Sequence, residues 1–231
     1  MTYAFANTGA VGSSNATGSF TLAYPAGITA GDILYTGANW GPTGVTITNS
    51  DAGFSLAVSR TTNASTYLWW KVANGTESGT ITIARTGGTS GQGIGQMCRF
   101  TGGPSSTSGN VHATNSTGLG ATTGLAYPSL TVTQPGCLIV TLGCKPFDCS
   151  GFNIPSEFDA EIQEANSGHG MCMVWDYKIQ TTAANIIGGN WTISTDGSAS
   201  RNAVIAAFLP GSVPIPFPPM NLGGIGVQMC Q

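Results

Sequence analysis

The chain has 231 residues, with only seven basic and ten acidic residues among them and a net charge of −3. The basic residues are scattered singly, which excludes the basic stripe that nucleic-acid binding requires. Gly, Ser, Thr and Asn supply the polarity instead, a composition typical of many short strands joined by turns. No stretch has the 3.6-residue periodicity of a helix, so we expect an all-β chain.

The first half of the chain predicts a succession of strands. Apolar residues form a continuous run in GDILYTGA from Gly31, and they alternate with polar residues in FSLAVSR from Phe54. Because side chains switch sides at every residue of a strand, an alternating segment has one apolar face. In chain order, the segments of this half are 22–25, 31–38, 54–60, 68–72, 80–86 and 95–102.

The same segments return in the same order in the second half. LAYP recurs at residues 125–128, Gly136 follows Gly31 by 105 residues, and Lys178 aligns with Lys71. We interpret the pattern as two pseudo-repeats, about residues 1–103 and 104–210, joined by a polar loop near 101–123. The matching segments are 125–128, 136–143, 158–164, 175–179, 190–196 and 203–211.

The alternation also assigns a core. Burying one large apolar side chain contributes ~1.5–3 kcal/mol, so the apolar faces of both halves should be covered. Two sheets packed face to face would bury them, and we predict a jelly-roll-like β-sandwich over residues 1–210 that the halves share. The predicted core residues are Phe54, Leu56, Val58, Leu68, Trp70, Val72, Phe158, Ala160, Ile162, Trp175, Tyr177 and Ile179.

The histidines and cysteines do not form a recognisable site. His112 and His169 fall in predicted loops, where solvated side chains are expected. The six cysteines include no Cys-x-x-Cys pair, and Met1 is not followed by the basic and apolar regions of a signal peptide, so we expect reduced thiols and small core cysteines, Cys172 among them. We predict no metal and no cofactor.

An acidic run at residues 156–164 leaves three readings open. Glu157, Asp159 and Glu161 would share one strand face. Such carboxylates could bind calcium, serve a glycoside hydrolase, or form a solvated outer face over a buried one. The equivalent positions of the first half are not acidic, so the fold does not require them. We predict no catalytic residues.

Tyr67 and Trp69 are the aromatic candidates for binding. If Leu68 and Trp70 face the core, Tyr67 and Trp69 face outward. A flat aromatic pair could stack on a sugar or anchor a protein partner, or it could pack beneath a loop.

The chain ends in an uncharged arm, residues 211–231, which has no counterpart in the first half. Prolines at 214, 216, 218 and 219 remove backbone donors and favour an extended conformation that loses little entropy on docking. An apolar segment follows that could add a strand to a sheet edge. We expect the arm to dock on a neighbouring copy or a shell protein through Val213, Ile215, Phe217, Leu222, Ile225 and Val227.

The order of these segments resembles a family of phage virion proteins found among tail-associated and capsid-associated components. The residues that carry the resemblance are 31–34 (GDIL), 70–73 (WKVA) with Glu77, 80–83 (TITI) and 99–102 (RFTG). The likeness covers roughly residues 20–210, and Cys137 replaces the Asp of the Gly-Asp pair in the second half. The resemblance implies a β-sandwich, a structural or attachment role and no catalytic residues.

These observations predict a capsid decoration or cement protein, made in the host cytoplasm, not secreted, and assembled into the virion. It would form homodimers or homotrimers and bind the major capsid protein or another virion protein. The alternative is a tail fibre or tail-tip module that binds host-surface glycans through Tyr67, Trp69 and polar groups of the loops. A glycan hydrolase using Glu157 or Asp159 ranks last. Neither nucleic acid nor a membrane is an expected partner.

Overall fold

A computed structural model gives the architecture of the chain. The part of the chain that the structure describes comprises residues 2–15, 18–41, 44–62, 64–88, 91–105, 110–122, 125–146, 152–166, 170–192 and 199–211.

The described residues form strands and no helix, which confirms the all-β sandwich prediction. They also hold no helix of the length and hydropathy that crossing a bilayer requires. The jelly-roll connection pattern stays a prediction. The strands are β1 Ala4–Thr8, β2 Gly12–Ser14, β3 Ser19–Ala23, β4 Ile33–Trp40, β5 Thr46–Asn49, β6 Ser55–Arg60, β7 Ser65–Val72, β8 Thr80–Thr86, β9 Gly93–Thr101, β10 Val111–Thr122, β11 Leu125–Tyr127, β12 Cys137–Lys145, β13 Ala160–Asn166, β14 Cys172–Gln180, β15 Gly189–Trp191 and β16 Ala199–Phe208.

The described strands form four antiparallel sheets, two in each half. Large sheet I has the order β1-β9-β4-β7-β6, with β2 also on β9, and large sheet II has the order β10-β16-β12-β14-β13. Small sheet I is β3-β8-β5, and small sheet II is β11-β15. The strands of the two large sheets correspond one to one in these orders, β1 to β10, β9 to β16, β4 to β12, β7 to β14 and β6 to β13.

The register of the large sheets agrees as well. Ile33 pairs with Val72 and Phe100, and Leu138, its counterpart, pairs with Ile179 and Phe208. These are the partners that the alignment of the predicted segments requires. The common register places equivalent residues in equivalent positions, while descent from one duplicated segment stays an interpretation.

Three apolar clusters define a four-layer stack. The central cluster joins the large sheets, with Tyr35, Leu68 and Trp70 on one side and Leu142 and Trp175 on the other. Residues of both halves therefore pack together in one central cluster. In addition, each large sheet packs its other face on its own small sheet, so each half has a second core that the sequence pattern did not predict.

The predicted core is confirmed at the central strands and wrong at one edge. Leu68, Trp70 and Trp175 are buried at the central interface, but Leu56 is 50% exposed. A bulge between Leu56 and Val58 shifts the register of β6. Val58 thereby packs on the central cluster while Leu56 pairs with a residue of the opposite face.

The predicted polar loop between the halves also needs correction. Much of it is the long strand β10, which includes His112 and pairs with β16 over nearly its whole length. An edge strand is held mainly by backbone hydrogen bonds, so a Thr- and Ser-rich sequence without apolar alternation still forms one.

Gly37 tests the central interface. A Cβ at this position would lie 2.9 Å from Leu142 and 3.0 Å from Trp175 of the other half. We expect Gly37→Val to lower the free energy of unfolding by about 1–3 kcal/mol, because overpacking forces the sheets apart. Urea denaturation followed by tryptophan fluorescence measures the loss.

The matched control is Gly18→Ala. Gly18 is exposed, and no described atom lies within 4 Å of a Cβ built there. Its effect should stay within about 0.5 kcal/mol. Equal stability of the two variants would contradict the tight packing of the halves.

Candidate functional site

The Gly-Asp pair of the first half forms an ion-pair cluster at the start of β4. Asp32 accepts a hydrogen bond from Arg99 Nε at 2.7 Å and one from the backbone N–H of Thr29 at 2.7 Å. Gly31 precedes it with a φ of +91°, a conformation that favours glycine. Asp32 therefore ties the turn before β4 to β9, which is a structural role.

Lys71 lies at the centre of a second ion-pair cluster. Its Nζ is 2.9 Å from Asp51 and 3.1 Å from Glu77, and it lies over the ring of Phe54. Tyr24 donates a hydrogen bond to Asp51 as well. Glu77 accepts the backbone N–H groups of the turn after β7, so the Lys and Glu of the predicted motif hold that turn in place.

Opposing effects set the pKa values in this second cluster. Burial alone would raise the pKa of Asp51 and Glu77, but hydrogen bonds outweigh it and lower both. Burial would likewise lower the pKa of Lys71, and its two carboxylate partners raise it instead. The three groups therefore stay charged across the neutral range and stabilise one another.

A buried acid, Asp176, lies in the second half. Asp176 occupies the position equivalent to Trp69, is fully buried, and accepts a hydrogen bond from the indole N–H of Trp191. Burial raises its pKa to about 7, the indole opposes the shift, and Glu161 on the neighbouring strand adds to it. Lys145 and Arg201 are buried in this half too, and both have partners.

The carboxylates of the acidic run do not come together in one site. The strand begins only at Ala160, Glu157 lies in a turn, and Asp159 accepts the backbone N–H of Ile179 at 2.7 Å. The expectation that Glu157, Asp159 and Glu161 share one strand face is therefore wrong. Among the described residues, no group of three His, Cys, Asp or Glu side chains could hold a metal ion.

Tyr67 and Trp69 face away from the central core, as predicted, but they are not exposed. They stack on each other at 5.2 Å between ring centroids and are 8% and 6% exposed. Small sheet I covers both rings, and its residues Leu22 and Ile83 pack in the same apolar cluster. Of the two alternatives for these rings, an open surface platform and packing beneath a covering segment, the structure shows them covered, because alternation gives the direction of a side chain and not what lies over it.

The histidine and cysteine predictions have mixed outcomes. His112 Nε2 accepts the backbone N–H of Thr133 at 3.0 Å, whereas His169 lies outside the described residues. Cys98, Cys137 and Cys144 are free and buried, as expected. Cys172 is disulfide-bonded, so its predicted reduced state is wrong. Sequence spacing alone did not show which cysteines meet.

A surface cleft lies where the arm begins. Its volume is about 320 Å³, and we call it the arm-root cleft. Gly211, the first residue of the predicted arm, is buried in its wall, and a Cβ there would collide with the carbonyl oxygen of Gly103. Tyr3 fixes the same region by donating a hydrogen bond to the Leu209 carbonyl. The lining residues are Ala30, Gly31, Asp32, Gly102, Gly103, Pro104, Ser105 and Gly211.

The predicted partner-binding residues of the arm, Val213, Ile215, Phe217, Leu222, Ile225 and Val227, lie outside the described residues. Their contacts stay a prediction. The last residue before them that the structure describes is Gly211, which is buried in the wall of the arm-root cleft.

Comparison of the chain with protein-family models, with curated proteins and with solved structures found no match. The resemblance to phage virion proteins therefore stays a prediction. Its charged motif residues, Asp32, Lys71, Glu77 and Arg99, form the two ion-pair clusters described above.

Replacing Lys71 tests the second ion-pair cluster. Lys71→Met leaves Asp51 and Glu77 without their cation, and we expect a loss of about 3 kcal/mol in the free energy of unfolding at pH 7. Both carboxyl pKa values are lowered in the folded state, so their stabilisation disappears as pH falls below about 4. The difference between wild type and variant should shrink there, as urea titrations at pH 7 and pH 3 would show.

Lys178→Met is the matched control. Lys178 occupies the equivalent place in the second half, and no ion pair to it is seen among the described residues. A loss as large as that of Lys71→Met would contradict a specific role for the cluster.

The contribution of Asp176 to stability should depend on pH in the opposite sense to that of Asp51 and Glu77. Its pKa is raised on folding, so its contribution favours the folded state at low pH and is lost as pH rises from about 4 to about 7. Asp176→Asn keeps an acceptor for Trp191 and carries no charge. It should raise stability at pH 8 by roughly 2–4 kcal/mol and have little effect at pH 4.

Thermal denaturation at both pH values measures this difference. Asp51→Asn is the comparison, because the Asp51 pKa is lowered and that variant should lose stability at pH 8. A destabilised Asp176→Asn protein at pH 8 would show that the ionised acid is needed.

Proposed function

We propose that the chain is a structural protein of a bacteriophage virion, specifically a capsid decoration or cement protein. The observation that carries the proposal is the buried attachment of Gly211 at the arm-root cleft, from which an uncharged, proline-spaced segment continues. We call the folded part of the chain before residue 212 the body. The apolar segment is attached to this body at one fixed point, Gly211.

The body suits a role in holding neighbouring subunits together. The central cluster makes the two halves one packed unit, because side chains of both large sheets interdigitate there. Such a unit changes little on docking, so less ordering entropy opposes binding. A cement protein uses that property to clamp adjacent capsomers through symmetric interfaces.

The arm supplies apolar contact area that the body lacks. Among the described residues, only Val11, Leu56, Ile154 and Ile187 are large exposed hydrophobic side chains. Scattered single residues of this kind do not make a stable interface. The arm residues Val213, Ile215 and Phe217 stand close together in sequence, and burying them on a partner would give an anchor of the usual kind.

The burial of Tyr67 and Trp69 separates this proposal from the tail-module alternative. Glycan binding by a tail fibre or tail tip depended on those two rings as an open stacking surface. Since small sheet I covers both, they offer no such surface in this fold. We therefore propose a location on the head.

Removing the arm tests the proposal. Deletion of residues 212–231 should reduce binding to purified heads of the encoding phage by at least about thirtyfold, the loss of one good anchor or more. The folded body should remain, because all three apolar clusters lie within residues 3–209. Cosedimentation with heads measures binding, and near-UV circular dichroism measures the fold.

Leu56→Ser is the matched control, since it removes an exposed apolar side chain of the body. Its binding should equal that of the wild type. Undiminished occupancy of heads by the truncated protein would overturn the proposed role of the arm, and label found only on tails in immunogold micrographs would overturn the head location.

A further inference from the structure

Gly31 and Gly136 occupy equivalent positions in the two halves. Gly31 lies two residues before the start of β4, and Gly136 lies directly before the start of β12. Both have a positive φ, +91° for Gly31 and +79° for Gly136. The backbone N–H of Gly31 donates to Ala73 at 2.9 Å, and that of Gly136 donates to Gln180 at 2.7 Å. The same local structure is therefore built twice.

The space over the two glycines differs. A Cβ built on Gly136 would lie 3.3 Å from Cγ and 3.5 Å from Cβ of Pro210, so a prolyl ring covers this glycine. A Cβ built on Gly31 would have no described atom within 4 Å. The residue equivalent to Pro210 in the first half is Gly102, which has no ring to contribute.

The arm-root cleft therefore corresponds to a place that proline fills in the other half. Gly31 and Gly102 both line it, and Ala30, Gly103 and Pro104 give it small, uncharged walls. Its one carboxylate, Asp32, is paired with Arg99. An uncharged, proline-containing segment fits this chemistry, since a charged one would lose hydration without gaining a partner.

An arm that runs extended, as the sequence predicts, would be badly placed to fill the cleft of its own chain. Gly211 forms part of the wall, and Pro214 and Pro216 follow three and five residues later. Residues before proline avoid the helical region, so the extended run that the sequence predicts, with a rise of about 3.1 Å per residue, would carry these prolines roughly 9 and 16 Å away. The arm of another copy has no such restriction.

We propose that the arm-root cleft binds the proline-spaced segment 213–219 of a neighbouring copy, with a prolyl ring over Gly31. The inference rests on the proposed function in taking the arm to be a docking segment. The contact joins two different surfaces, so repeating it closes a ring if the rotation permits and otherwise gives an open chain.

Two full-length variants test the contact. Ala30→Trp fills the cleft, and the double change Pro214→Asp with Pro216→Asp puts charges into the arm. Ala26→Trp is the control, because Ala26 is exposed in the same loop and does not line the cleft. Sedimentation velocity over a concentration series measures assembly, and near-UV circular dichroism confirms that each variant is folded.

Wild type and Ala26→Trp should self-associate, and each test variant alone should do so at least about thirtyfold more weakly. An equimolar mixture of the two test variants should form a one-to-one dimer and nothing larger. The intact arm of the Ala30→Trp chain fits the intact cleft of the other chain, and no second contact is possible. Docking within one chain would give no such recovery.

A monomeric wild type, or a mixture that stays monomeric, would overturn the inference. Binding to phage heads is measured separately. If a monomeric wild type still binds heads, the proposed function stands and the exchange of arms fails. If the copies assemble through the cleft but do not bind heads, the inference stands and the proposed function fails.

Discussion

Burial of both faces of the two large sheets is the constraint on which the rest of the structure depends. Every residue of the central strands β4 and β12 is buried, because another large sheet covers one face and a small sheet covers the other. Such strands offer almost no place for a solvated charge, which accounts for a chain with only 7% charged residues. Five of the seven charged residues of the first half accordingly gather in the two ion-pair clusters around Asp32 and Lys71, where each lies beside a group of opposite charge.

The alternation of apolar and polar residues predicted correctly to which side of a strand a side chain points, but it did not predict everything that covers that side chain. It placed Leu68, Trp70 and Trp175 toward the shared core, where they lie. It could not show that Tyr67 and Trp69 were covered as well, because small sheet I is built from residues distant in sequence. The cue available was composition: residues 33–40 contain no charged residue and read as a strand hidden on both sides. The bulge that exposes Leu56 left no comparable signal.

The candidate site was predictable only in part. The repeat pointed to Gly31 and Gly136 as equivalent, and the register of the sheets agrees with that alignment. The difference that matters, a proline ring over one glycine and open space over the other, depends on how the chain leaves β9 and β16. Likewise, Asp176 and Trp191 meet across two sheets, and their separation of 15 residues gave no hint of a hydrogen bond.

The position of β16 has a mechanical consequence. It lies between β10 and β12 and pairs with both over most of its length, and the chain passes from its end through Gly211 into the arm. A pull on the arm acts along β16, so it loads two ladders of hydrogen bonds in shear rather than opening them one at a time. Tension borne by the arm would therefore meet resistance from a strand that is hydrogen-bonded along both of its edges.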